Sequence, residues 1–288
     1  MTDAALRHAA ARWLAEGRAA MQVQVLSARG SVPRPPGTRM IVAADEVLGT
    51  IGGGHLEWRA IDAARKRLAA AQDEAQDEAR DEPWDEAIAL GPTLGQCCGG
   101  TLVLRTQRLT RERLEAWSLP APRFTLQLFG AGHVGRAIVA LLEGIDCRVQ
   151  WIDEREAEFP AASSASHIER VCVEPVEAEV GSAPPGAFYL VLTHSHDLDL
   201  RIAEAILRRG DFGYLGLIGS KTKRARFLHR YEARGLPPEL LARITCPIGV
   251  EGIEGKEPEL IAIAVVAQLL QQAARTGGIP LAPPVGRG

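Results

Sequence analysis

The chain has 288 residues, 46% of them hydrophobic and 5% aromatic, with 33 Lys plus Arg against 36 Asp plus Glu for a net charge of −3. That length suits two ordinary domains, the near balance of charge offers no long-range pull on nucleic acid or an anionic membrane, and no apolar run reaches the ~18–20 residues that span a bilayer. Five Cys without paired C-x-x-C spacing exclude a disulfide framework and a zinc ribbon, and the start, MTDAALRHAAARWLAEG, lacks a signal peptide's apolar block, so a reduced, cytoplasmic protein is expected.

In chain order, helical spacing over Ala4–Ala15 precedes a β-type run, Met21–Ala28, and a stiff loop, GSVPRPPG, over Gly30–Gly37. A short strand expected around Arg39–Ala43 leads to Val47-Leu-Gly-Thr-Ile51. The triple glycine Gly52-Gly53-Gly54 then opens a helix running from His55 to about Ala71. Gln72–Glu86, which repeats QDEA, reads as a solvated helix end or loop. Strands at Ala87–Leu90 and Thr101–Thr106 bracket a glycine-rich loop that holds Cys97 and Cys98. Arg108–Pro122, charged and closed by two prolines, reads as a linker. A smaller N-terminal α+β domain over residues 1–110 is the result.

Strand and helix alternate afterwards. Strands are expected at Phe124–Phe129, Cys147–Ile152, Ile168–Val173, Phe188–Thr193 and Gly213–Ile218. Helices are expected at Val134–Leu142, Leu198–Arg208, Lys221–Arg234 and Glu257–Ala274. Alternation of this kind implies a Rossmann-like parallel sheet covered on both faces, and hence an α/β domain over 123–288.

Gly130-Ala131-Gly132-His133-Val134-Gly135 follows a strand and opens a helix, the context in which a G-x-G-x-x-G turn grips a phosphate. Asp153, at the end of the next strand, stands where an acid would hold a ribose 2′-OH. Gly52, Gly53 and Gly54, with His55 and Glu57 behind them, offer bare N–H groups as a second anion nest. Ser220 can cap the helix after Gly216–Gly219, and Lys221 adds charge beside it. Thr193–Asp199 (THSHDLD) reads first as a ligand-contacting rim, then as a helix cap made by Asp197; His194 and His196 would also point the same way on a strand and could chelate a metal. Cys97 and Cys98 read either as small core residues or, if exposed, as soft thiolate ligands for a metal. Cys147 and Cys172 fall on strands and read as core, and Cys246 stays open. The glycines at 249, 252 and 255 suggest close backbone packing against a ligand or partner, or a plain loop.

Seven segments taken together resemble one family. GSVPRPPGTRM (30–40), GTIGGGHLE (49–57), LGQCCGG (94–100), LFGAGHVG (128–135), THSHDLD (193–199), GLIGSKTKR (216–224) and PIGVEGIEGKEP (247–258) are similar, in order, to xanthine dehydrogenase accessory proteins of the XdhC/CoxI type. The resemblance implies a maturation factor that binds the molybdenum cofactor (molybdopterin carrying molybdenum). Such a factor assists cofactor sulfuration with sulfur from a cysteine desulfurase and delivers the cofactor to the xanthine dehydrogenase large subunit, typically as a homodimer. On this reading the 130 turn, the 52–54 nest with His55 and Glu57, and the polar rim of His194, Asp197 and Ser220 meet the cofactor, while Cys97 or Cys98 meets its metal. An NAD(P)-dependent oxidoreductase is the competing reading, carried by the glycine turn and Asp153. A scaffold with a vestigial nucleotide fold is a third.

Overall fold

The computed structural model describes residues 1–73, 82–91, 99–161 and 165–276. The chain divides into two compact units, Met1–Pro120 and Ala121–Gly288.

The first unit begins with helix α1 (Asp3–Ala15), capped by Thr2, whose hydroxyl accepts the N–H of Ala5. Strands β1 (Ala20–Arg29), β2 (Arg39–Ala43) and β3 (Val47–Gly49) follow, then α2 (Gly54–Asp73), β4 (Trp84–Ala89) and β5 (Thr101–Arg108). The five strands form one antiparallel sheet in the order β3-β2-β1-β5-β4. Period-two alternation lets each face carry its own core. Leu56, Ala60, Ala64 and Leu68, a turn apart on α2, pack on Val23, Val25, Met40 and Val42. On the other face Leu6, Ala10 and Trp13 of α1 meet Ile41 and Ala43.

The stretch read as a linker is partly folded. Helix α3 (Arg111–Glu115), capped by Thr110, lies within it, and Leu109 and Trp117 join the α1 core. The charged surface of RERLE hid two large apolar anchors that flank it. The acidic stretch likewise runs into β4, whose exposed positions alternate with inward ones.

The second unit runs β6 (Thr125–Phe129), α4 (His133–Leu142), β7 (Arg148–Asp153), β8 (Ile168–Cys172), β9 (Phe188–Val191), α5 (His196–Arg209), β10 (Tyr214–Leu217), α6 (Lys221–Ala233), α7 (Pro238–Leu241), β11 (Ile244–Thr245) and α8 (Pro258–Arg275). Its six strands are all parallel, in the order β11-β10-β9-β6-β7-β8. From β6 the chain builds outward through β7 and β8, then returns to the other side of β6 with β9. That reversal is the strand order of the doubly wound dinucleotide fold, as the alternation predicted, and its switch point lies between β6 and β9. Leu126 and Leu128 face α4 and α8, whereas Phe129 faces α5. In this unit α7 and β11 were not expected, being too short to show a period.

Two cysteine expectations divide. Cys147 is buried just ahead of β7, but Cys172, expected in the core, is exposed at the end of the last strand on that side of the sheet. Cys246 is buried. Gly249 packs on the chain's own helix α8, where a Cβ would lie 3.0 Å from that of Ala264, and exchanges hydrogen bonds with the Gln268 amide.

Helix α4 starts tight against β6 because Gly135 has no side chain. A Cβ there would stand 2.1 Å from the carbonyl oxygen of Gly130, whereas one on Gly132 would meet nothing within 4 Å. Gly135→Ala should therefore lower stability by roughly 1–3 kcal/mol or more, as overpacking does. Gly132→Ala should stay within about 0.5 kcal/mol. Urea unfolding of both variants checks this; equal losses would contradict it.

Candidate functional site

The carboxyl ends of β6, β7 and β9 border a narrow crevice at the switch point, too tight in this conformation to admit a water-sized sphere. Its walls are Phe129, Ile152, Val176 and Leu198, and its polar rim includes Gly130, Glu154, Thr193 and His194. The glycine turn at this mouth is tied down from β7. Gly130 donates its N–H to the Ile152 carbonyl, the Trp151 indole donates to the Gly130 carbonyl at 3.0 Å, and the Ala131 N–H donates to Asp153 Oδ2 at 2.7 Å. Gly132 is the N-cap of α4 and provides no side-chain cap. First-turn N–H groups of α4 therefore point outward with a positive dipole end behind them, which suits an anion. His133 is the first residue of that helix.

Asp153 does not stand ready for a ribose. It is buried and takes both its partners from the protein: Arg155 grips the two carboxylate oxygens through Nε at 2.9 Å and a terminal nitrogen at 3.0 Å, while the Ala131 and Arg155 N–H groups donate as well. Burial pushes this carboxyl up, but the hydrogen bonds from Arg155 and the two N–H groups outweigh it, and the net shift is below the usual carboxylate range. Arg155 also reaches Glu158, which pairs with Arg136 on the first turns of α4. The acid expected to bind ligand instead fixes the glycine turn. No periodicity reveals this, because the competitor, Arg155, is only two residues away in an irregular segment.

The rim after β9 also departs from expectation. His194 and His196 do not share a strand: β9 ends at Val191 and His196 is the first residue of α5, so the two cannot chelate as strand neighbours. Among the described residues no His, Cys, Asp or Glu group of three is arranged to hold a metal. Ser195, not Asp197, caps α5 by accepting the Leu198 N–H. Asp197 is exposed and loosely paired with Arg230 at 3.6 Å. Ser220 caps α6, accepting the Lys223 N–H at 3.2 Å, and Lys221 is exposed at the start of that helix.

Sequence reasoning passed over the pair that organises this rim. Asp199 is fully buried; its Oδ1 accepts the Thr193 N–H at 3.0 Å and the Thr193 hydroxyl at 2.7 Å, and its Oδ2 accepts Lys223 Nζ at 2.6 Å. Lys223 donates again to the Ile218 carbonyl at 2.8 Å. One buried ion pair thus fastens the loop after β9 to the loop after β10. A signal was present: Asp199 shares an apolar stripe with Ile202, Ala203 and Ile206, and Lys223 shares one with Phe227 and Tyr231. A charge on a buried stripe needs a partner.

In the first unit the triple glycine is a nest already filled. Gly52, Gly53 and Gly54 all have positive φ, which turns the preceding N–H groups inward. Glu57 Oε2 occupies the hollow, accepting from Ile51 N–H at 3.0 Å, Gly53 N–H at 3.1 Å and the Thr50 hydroxyl. An external phosphate would have to displace this carboxylate, so the expected nest is corrected to an internal one. His55 is exposed and stacks on the exposed Trp58, with ring centroids 5.6 Å apart. Three of the seven sequence segments do meet here. Gly100 donates its N–H to the Ser31 carbonyl at 3.0 Å, and a Cβ on Gly52 would stand 2.5 Å from Pro33. Cys97 and Cys98 lie outside the described residues.

Comparison with known proteins agrees with this architecture. The XdhC Rossmann domain profile matches residues 126–269, half of the chain, and the XdhC and CoxI family profile matches residues 13–77. An Escherichia coli (strain K12) relative, described as uncharacterized protein YqeB, is 29% identical over 271 residues. That alignment covers 90% of this chain but 45% of the relative, so the chain spans about half of that protein's length. A Bacillus halodurans crystal structure described as a xanthine dehydrogenase superposes with a TM-score of 0.72 at 18% identity, covering 98% of both chains. At that identity the likeness is one of fold. No helix among the described residues is long and apolar enough to cross a membrane.

Removing one member of a buried pair leaves the other uncompensated. Lys223→Met and Asp199→Asn should each cost about 3–5 kcal/mol, and the double variant less than the sum. Chemical denaturation of the three proteins decides; additive losses would contradict the pairing. Asp153, with its folded pKa depressed, contributes stability that is present above its unfolded value near 4 and lost as pH falls through the lower folded value. Asp153→Asn should therefore flatten the acid limb of the stability curve, and an unchanged limb would contradict the clamp.

Proposed function

The chain belongs to the XdhC and CoxI family, and from that premise we propose that it is a xanthine dehydrogenase accessory protein, a carrier that takes the molybdenum cofactor as cargo. On this reading it acts as a maturation factor and not as a catalyst of substrate turnover. It holds the cofactor while a cysteine desulfurase supplies the terminal sulfur, then passes it to the large subunit of xanthine dehydrogenase. A homodimer is the expected working form.

The observation that carries the proposal is the uncapped start of α4 at Gly132, opening beside the switch-point crevice. Molybdopterin combines a terminal phosphate with a flat, hydrogen-bonding pterin. The outward N–H groups of α4 suit the phosphate, since Gly132 leaves open space for close approach. The filled nest at Gly52–Gly54 does not suit the phosphate, because Glu57 already occupies it. Bound cofactor brings its own dithiolene and metal, and the protein's part is to bind, orient and shield. Cys97 and Cys98 are assigned thiolate contact with the metal from the family resemblance.

The oxidoreductase alternative needs an acid free to hold the ribose. Asp153 is spent on Arg155 and the glycine turn, which favours the carrier reading. NAD and NADP should accordingly bind weakly, and turnover of any substrate with either would support the alternative.

Purified protein mixed with molybdenum cofactor should keep it through gel filtration. Gly132→Ala should retain the fold but release cofactor, because a methyl group would stand between phosphate and helix. Replacing Cys97 and Cys98 together by Ala should weaken molybdenum retention more than it lowers the melting temperature. Elution of all molybdenum in the small-molecule fraction from the unmodified protein would overturn the proposal.

A further inference from the structure

We propose that the cleft between the first turn of α5 and one face of α6 binds a phosphate group, with Arg226 and Arg230 as its grip. The inference goes beyond the carrier reading and does not depend on it, since no residue of the α4 turn lines this cleft.

His196 and Asp197 form one wall, and Lys223, Arg226, Phe227 and Arg230 form the other. The free volume is about 50 Å³. That exceeds the ~10–15 Å³ that one water needs, and it suits a small oxyanion whose organic part stays outside. Residues 223, 226, 227 and 230 recur at helical spacing, so three cations and one aromatic ring share a face of α6. This helix carries five Lys and Arg against one Glu, in a chain whose net charge is −3. The positive field is therefore local to it.

The three cations differ in what the fold has given them. Lys223, 9% exposed, donates to Asp199 Oδ2 and to the Ile218 carbonyl, and its Nζ lies 5.4 Å from the Phe227 ring centroid. Asp199 matches its charge. Arg230 stands 3.6 Å from Asp197, beyond a hydrogen bond. Arg226 has no hydrogen bond or ion pair among the described residues. One positive charge is thus left without a counter-ion. On the opposite wall Ser195 accepts the Leu198 N–H, while the N–H groups of His196 and Asp197 take no partner among the described residues. Guanidinium forks match an oxyanion bidentately. Donors on two walls suit a tetrahedral phosphate, whose oxygens point several ways, better than a planar carboxylate, whose two oxygens share one side. Asp197 is the group that opposes an anion here. It is exposed and held by one long contact, so bound phosphate takes its place on Arg230.

Inorganic phosphate and glycerol phosphate are titrated into the full chain by calorimetry, with acetate as the planar control, in a phosphate-free buffer of low salt that leaves exposed charges unscreened. A phosphate probe should bind about tenfold or more tighter than acetate. Arg226→Gln should weaken phosphate about tenfold, the scale of one charge-assisted hydrogen bond, at an unchanged melting temperature because the side chain is exposed and unpaired. Asp197→Asn removes the opposing charge and should tighten binding about threefold. Preference for the ester would assign the group to a phosphorylated small molecule, and preference for the free ion would assign it to inorganic phosphate; both support the site. No phosphate binding, acetate bound as tightly, or an affinity unchanged in Arg226→Gln would overturn the proposal. So would binding that Gly132→Ala abolishes and Arg226→Gln does not touch, which would place the anion at α4 instead.

Discussion

How close a helix can begin to a strand decides the shape of the C-terminal unit. At Gly135 the gap to the Gly130 carbonyl admits a hydrogen and nothing larger, and at Gly130 a side chain would strike the Leu192 carbonyl, 2.4 Å away. Those two absences let α4 start at the edge of the sheet, between β6 and its returning neighbour β9. The helix dipole, the crevice and the rim loops are all arranged around that start. The surrounding groups then keep it there. Trp151 and Asp153 hold the turn from one side, and the Asp199–Lys223 pair holds the opposite rim from the other.

Three acids show how the fold settles what a carboxylate does. Asp153 and Asp199 are buried, saturated and structural. Glu57 belongs with them, closing a glycine nest that would otherwise be open to an outside anion. Each was a reasonable ligand-binding or rim position by its neighbours in the sequence. What removes each from that role is a donor brought in by folding: a guanidinium, an ammonium, or a run of backbone N–H groups. At the switch point the first-turn N–H groups of α4 are the backbone donors whose capacity no side-chain cap consumes.

The architecture was legible because it rests on short-range signals. Strand–helix alternation after residue 123 and the G-x-G-x-x-G turn both follow from periodicity and from glycine chemistry. The resemblance of seven ordered segments identified the family, as the profile matches show. Less of the site was legible, and for a physical reason. Helix capping by Ser195 instead of Asp197 depends on backbone angles at the end of β9. Pairing of Asp199 with Lys223 joins residues 24 apart in sequence. Trp117 became an anchor because α3 folds back onto α1, which its charged sequence does not announce. Long-range partners of polar groups are a property of topology, and a sequence pattern shows only that a partner is needed.

Where the cargo sits is measured directly by hydrogen–deuterium exchange of the protein with and without molybdenum cofactor. Slowed exchange at the amides of Gly132 to Gly135 and of Thr193 to Ser195, with the 50–57 segment unchanged, is the predicted result. Protection confined to the 50–57 segment, or none at either rim of the crevice, would contradict it.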